Sequence, residues 1–226
     1  MATQRTMERD YPIEFAITAA VDMSGPYALT DTFLAGLDTP VLGASVFTAM
    51  TFVGYQKSYG DVYAKPEDFF QLPYAAGIES LIPGTLSTTQ LYTEGKLPVA
   101  LTGEGGLLTA ATVTAYKESA DFPARKNVAK NDLLNWKPVA PVRLCGGFRD
   151  PTVPFTTNAT AASAYFLTQE VEVPAVDVEL VPDFQAAIAA QVATNPDLST
   201  YHGTIVPPLC MSYSKNAVFD PLAATP

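Results

Sequence analysis

PVRLCGGFRDPTVPFTTN, residues 141–158, is the stretch that decides how this 226-residue chain is read. Val142 to Gly147 is a short apolar run closed by glycines and entered through Pro141, the pattern of a buried strand. It delivers Asp150 just past the end of the strand, where open α/β sheets place ligand-binding and catalytic groups. Pro151 and Pro154 stiffen the loop that carries it. A carboxylate in that place can orient an imidazole and stabilise its charged form. Asp-Pro also starts ordinary turns, and the residue by itself fits either role.

The neighbouring segments supply the rest of a sheet. Residues 2–10 predict a helix stopped at Tyr11-Pro12. Residues 13–21 are apolar and predict a buried strand that ends in the turn Asp22-Met23-Ser24-Gly25-Pro26. Downstream, a helix is predicted over 156–167 and a strand over 171–181. Asp183 then caps a helix from Phe184 to Ala193. His202 falls in a loop between Tyr201 and Gly203, before a short C-terminal helix anchored by Leu209 and Phe219. Strands alternating with helices give an α/β class with a parallel sheet.

Residues 27–130 have a different texture. Helical stretches such as 46–59 are broken by Gly60-Asp61, Lys65-Pro66, Leu72-Pro73 and Ile82-Pro83-Gly84. Aromatics are dense, with Phe33, Phe47, Phe52, Tyr55, Tyr59, Tyr63, Phe69, Phe70 and Tyr74. This suits a helical cap over an apolar pocket and equally a helical unit with its own core. Gly103-Glu104-Gly105-Gly106 is no phosphate loop, since no Lys-Ser/Thr follows it. The domain reading is therefore an α/β core from 1–26 and 131–226, interrupted by a helix-rich cap insertion, 27–130.

A net charge of −10 disfavours nucleic acid and anionic membrane surfaces as partners. No apolar run is long enough to span a bilayer. The first residues do not have the pattern of a signal peptide. One histidine and two cysteines make no zinc pattern, no Asp-x-Asp-x-Asp run suggests calcium, and no cofactor is expected. Cys145 and Cys210 are read as buried free thiols in preference to a disulfide, because free cysteine is among the most buried residue types.

Several motifs together resemble secreted bacterial α/β-hydrolases of the esterase/lipase kind. Asn131-Asp132, Trp136, Pro138 and Pro141-Val142-Arg143-Leu144 are similar to the run before the acid strand of those proteins. Gly146-Gly147-Phe148-Arg149-Asp150, Val153-Pro154 and Asn158 are similar to the acid loop itself. Ser24-Gly25-Pro26-Tyr27-Ala28-Leu29 resembles the segment after the next strand, and 1–12 resembles the helix behind the nucleophile. The resemblance implies a remnant of the α/β-hydrolase sheet, a secreted origin, Asp150 as triad acid and His202 as general base. The implied substrate is a small acyl ester held under residues 27–130.

One element of that machinery is missing. No Gly-x-Ser-x-Gly occurs in the chain, so the serine elbow that exposes a nucleophile beside an oxyanion-binding N–H is absent. Ser24, at a strand end expected to face the same crevice as Asp150 and His202, is the candidate replacement. Ser45, at an expected helix N-cap, is a weaker one, and Cys145 is expected to be buried and inert. An upstream serine in a longer gene product is a further alternative. With the nucleophile strand absent, strand 13–21 would be an open apolar edge, which predicts a homo-oligomer that covers it. The expectation is a carboxylic-ester hydrolase with a missing or relocated serine. The alternative is an inactive hydrolase remnant that serves as an oligomeric binding or structural protein.

Overall fold

The computed structural model describes residues 1–224, which divide into two compact units, Leu29–Asn131 and the segments on either side of it. In the flanking unit, three parallel strands pair in the order β1 (Ala20–Met23), β2 (Val142–Gly146), β3 (Ala175–Asp177). Ala20 faces Val142 and Met23 faces Cys145, while Leu144 faces Ala175 and Gly146 faces Asp177. The parallel α/β architecture read from the sequence is thus present.

β2 is the middle strand and is buried on both faces. Alternation sends Val142 and Leu144 to one side, where they pack with Trp136, Phe155, Ala162 and Phe166. Cys145 points to the other side, into a cluster with Val178, Tyr201, Ile205, Val206 and Cys210. Helix α1 (Ala2–Asp10) has the predicted bounds. Arg5 donates to the Asp132 carbonyl and to Asn135 Oδ1, both at 2.7 Å, which fastens α1 to the segment leading into β2.

Two strands are shorter than expected. Residues 13–19 are not a strand, and Ile13 is fully exposed. The facing stretch explains this. Ahead of Val142 lie Pro138 and Pro141, which have no N–H to give. The N–H groups of Val139 and Ala140 donate instead to the Glu8 carboxylate, at 2.7 and 3.2 Å. Pairing therefore begins where Ala20 N–H donates to the Pro141 carbonyl. At the other edge, Pro174 precedes β3, and Asp177 Oδ1 accepts the N–H of Glu179 at 2.9 Å. That bond bends the chain into a 3₁₀ turn, Val178–Leu180, in place of the expected continuation to 181.

Other expectations are corrected locally. Asp183 lies inside a 3₁₀ turn, Pro182–Phe184, and the helix Gln185–Thr194 has Phe184 at its N-cap with no side-chain bond. His202 sits in the short helix Tyr201–Thr204, not in an open loop. Cys145 and Cys210 are not free thiols but a disulfide that joins β2 to the helix Val206–Ser214. Both are fully buried, so burial alone did not distinguish thiol from disulfide.

The Leu29–Asn131 unit is helical, with α2 (Leu29–Asp38) and α3 (Ala44–Tyr59) followed by shorter helices. Phe52, Phe69 and Phe70 are fully buried, and successive ring centroids lie 4.8 and 4.9 Å apart. Much of the aromatic content thus forms this unit's own core. Ser45 lies one residue inside α3, whose N-cap is Gly43, and its hydroxyl donates to the Pro98 carbonyl at 2.5 Å. That bond removes Ser45 as a candidate cap or free nucleophile. Among the described residues no helix is long and apolar enough to cross a membrane.

Candidate active site

β2 ends at Gly146, and the chain turns through Gly147, Phe148 and Arg149 to Asp150, whose N–H donates to the Gly147 carbonyl at 3.1 Å. The Asp150 side chain is wholly excluded from solvent. Each oxygen of its carboxylate has a distinct job. Oδ1 accepts the backbone N–H groups of Thr152 at 2.9 Å and Val153 at 3.0 Å. Oδ2 accepts the Ser24 hydroxyl at 2.7 Å and meets His202 Nδ1, also at 2.7 Å.

Burial pushes the Asp150 carboxyl up, but the bonds from His202, Val153 and Ser24 more than offset it, and the net shift is downward. A carboxylate held below its ordinary value stabilises the fold while ionised, above the ordinary carboxylate range. That stabilisation is lost as pH falls through its lowered value in the folded state. Urea unfolding between pH 7 and 3 should therefore show an acid loss of stability that is reduced in Asp150→Asn. Equal slopes in the two proteins would count against the assignment.

The His202 side chain is about one-third exposed, unlike Asp150. Nδ1 is engaged by the acid, and Nε2, on the opposite edge of the ring, has no hydrogen-bond partner among the described residues. This is the geometry of a general base: one nitrogen fixed by a carboxylate and the other available for a proton.

Ser24 is in the neighbourhood but stands differently from a nucleophile. A triad serine bonds to the imidazole nitrogen opposite the acid, whereas the Ser24 hydroxyl bonds to the acid itself. Its φ of 40° lies in the left-handed region, uncommon for a residue with a side chain. The Ser24 N–H bond to the Cys145 carbonyl, at 2.7 Å, and the hydroxyl bond to Asp150 hold that conformation. The structure thus brings together Ser24, Asp150 and His202, with Asp150 at the centre.

A second carboxylate, unremarked in the sequence, lies alongside. Glu179 Oε1 accepts the Arg149 N–H at 2.8 Å and the Tyr201 hydroxyl at 2.6 Å, and Oε2 accepts Arg149 Nε at 2.6 Å. Asp177 Oδ1 accepts the Phe148 N–H at 3.2 Å. Burial raises the Asp177 carboxyl, partly offset by the N–H groups of Glu179 and Phe148. Burial, then the bond to Glu179, raises the Tyr201 phenol far above its usual range. An alternation of Val and acidic residues was the only sequence signal here, and it pointed to a strand. Among the described residues no group of three or more His, Cys, Asp or Glu side chains could hold a metal ion.

No protein-family model and no curated protein matches the chain. Solved structures do. The rice cell wall degrading esterase LipA from Xanthomonas oryzae is similar at 32% identity and a TM-score of 0.71, over 78% of this chain and 47% of that one. A point mutant of the same esterase gives 28% identity and a TM-score of 0.72, over 92% and 55%. A protein from Legionella pneumophila, at 19% identity and a TM-score of 0.59 over 76% of this chain and 44% of that one, shares the fold. The chain spans about half the length of these structures.

Proposed function

Because the chain belongs to the α/β-hydrolase superfamily and is similar to bacterial esterases, we propose that it acts in carboxylic-ester hydrolysis, with Asp150 as the acid and His202 as the base. The observation that carries this reading is the buried carboxylate, fixed by two backbone N–H groups, holding His202 Nδ1 at 2.7 Å while Nε2 stays available. The substrate is a small acyl ester. Nε2 takes the proton of an attacking hydroxyl as its oxygen bonds to the ester carbonyl carbon, and gives that proton to the alcohol that leaves. A water molecule, losing its proton to Nε2 in the same way, then displaces the acyl group as the carboxylic acid, and the proton returns to the hydroxyl. Asp150 stabilises the imidazolium in both halves. Ser24 orients the acid. Ser24 Oγ is bonded to the carboxylate and not to Nε2, so in this reading the attacking hydroxyl is not that of Ser24.

Hydrolysis of a p-nitrophenyl ester series by the protein, with His202→Ala and Ser24→Ala beside it, tests the proposal. Turnover should vanish in His202→Ala and fall no more than about tenfold, or ~1.4 kcal/mol, in Ser24→Ala. Loss in both variants to the same degree would restore Ser24 as nucleophile. The absence of a Gly-x-Ser-x-Gly motif favours a second reading, a non-catalytic scaffold. No turnover in the wild type, with indifference to both substitutions, would favour it.

We further propose self-association through the β1 edge and the exposed Tyr11, Ile13 and Phe15 before it. Sedimentation should find a dimer or larger species, and Ile13→Asp should shift it to the monomer.

A further inference from the structure

We infer that Glu179 is the positioning residue of the Asp150–His202 pair: one carboxylate holds both the residue before the acid and the residue before the base. The inference rests on the reading of Asp150 and His202 as acid and base. Glu179 Oε1 accepts from the Arg149 N–H and the Tyr201 hydroxyl, while Oε2 accepts from the Arg149 side chain. Bonds to an ionised carboxylate are the stronger kind, and Glu179 makes three of them on the two segments that must be held together.

The surroundings leave these segments little freedom. Tyr201 is fully buried, so without Glu179 its hydroxyl would lose this partner away from water. Its ring lies directly against Gly147. A Cβ at Gly147 would meet Tyr201 Cε1 at 2.8 Å and the hydroxyl oxygen at 2.9 Å. The ring is therefore clamped between Gly147, just past the end of β2, and the carboxylate after β3. His202 follows Tyr201 directly, so the place of the tyrosine sets the place of the imidazole. Asp150 follows Arg149 in the same way on the other side. Neither the Glu179 carboxylate nor the Tyr201 hydroxyl hydrogen-bonds to His202 or Asp150, so both act through a neighbour.

His202 is the only histidine in the chain, which makes its imidazole signals in nitrogen–proton NMR spectra unambiguous. In the wild type, Nδ1 should carry the proton of the neutral ring and give a low-field signal protected by Asp150. Tyr201→Phe removes one hydroxyl and no charge. It should broaden or remove that signal and shift the neutral ring toward a mixture of tautomers. Glu179→Ala should do the same more strongly. Glu179→Gln, which keeps an acceptor for Tyr201, should fall between it and the wild type. A role confined to stability would lower the unfolding midpoint of all three while the folded protein kept the wild-type tautomer, and that result would overturn the inference. Asp150→Asn separates the two ideas. If it leaves the tautomer unchanged, the acid–base reading fails. If it changes the tautomer while Tyr201→Phe and Glu179→Ala do not, only the role of Glu179 fails.

Discussion

Asp150→Asn is expected to reduce ester turnover by about four orders of magnitude, the scale seen when a triad acid is replaced by its amide. The neighbours of the carboxylate dictate why. Oδ1 faces two backbone donors, the N–H groups of Thr152 and Val153. Neither can be reoriented without breaking the turn, so the amide oxygen must occupy that position. The amide NH₂ then falls where Oδ2 was, facing Ser24 and His202. Ser24 can rotate its hydroxyl to accept. His202 can accept only by presenting a bare Nδ1, which moves its proton to Nε2. The ring stays in place but its exposed nitrogen is occupied by a proton and cannot remove another. Stability at neutral pH should change much less than turnover. Kinetics on p-nitrophenyl butyrate, with an unfolding curve beside it, check both halves. A loss below tenfold would mean that the pair does not carry the chemistry.

Removing the disulfide gives the largest stability effect. Cys145 and Cys210 are 65 residues apart in sequence, and closing a loop of that length restricts the unfolded chain by about 4 kcal/mol in the chain-entropy account. The bond ties the middle strand of the sheet to the helix that follows the His202 turn. Cys145→Ala with Cys210→Ala should lower the melting temperature of the α/β unit by on the order of 15 °C. A fall of less than ~1 kcal/mol in urea would mean that packing around the sulfurs, and not the covalent link, holds this region.

The sequence made the sheet legible where a strand is buried on both faces. The run at 142–147 has no polar interruption except Arg143, and the structure puts it in the centre. Helix α1 was equally plain, because Tyr11-Pro12 stops it. The edge strands were overread for one reason: apolar residues and alternation report propensity, whereas strand length depends on a partner with free N–H and C=O groups. The prolines at 138 and 141, and the capture of two N–H groups by Glu8, are properties of the partner. Asp150 and His202 were singled out by the resemblance of the motifs around them, since residue type and position left each open, and the structure brings the two side chains to 2.7 Å. Their order of bonding with Ser24 could not be read, since it depends on which face of β1 meets the loop. Glu179 was hidden because its carboxylate bonds to residues 22 and 30 positions away in sequence.

The capture of Val139 and Ala140 by Glu8 reaches further than the length of β1. A parallel pair can slide by one residue unless something marks where it begins, and each step turns every side chain to the opposite face. By closing the ladder just ahead of Val142, Glu8 sets the phase of the sheet. Only in that phase does Ser24, four residues along from Ala20, come up on the side of Asp150. A helix that makes no hydrogen bond to Asp150 or His202 among the described residues thus acts as the zero mark from which the site is measured.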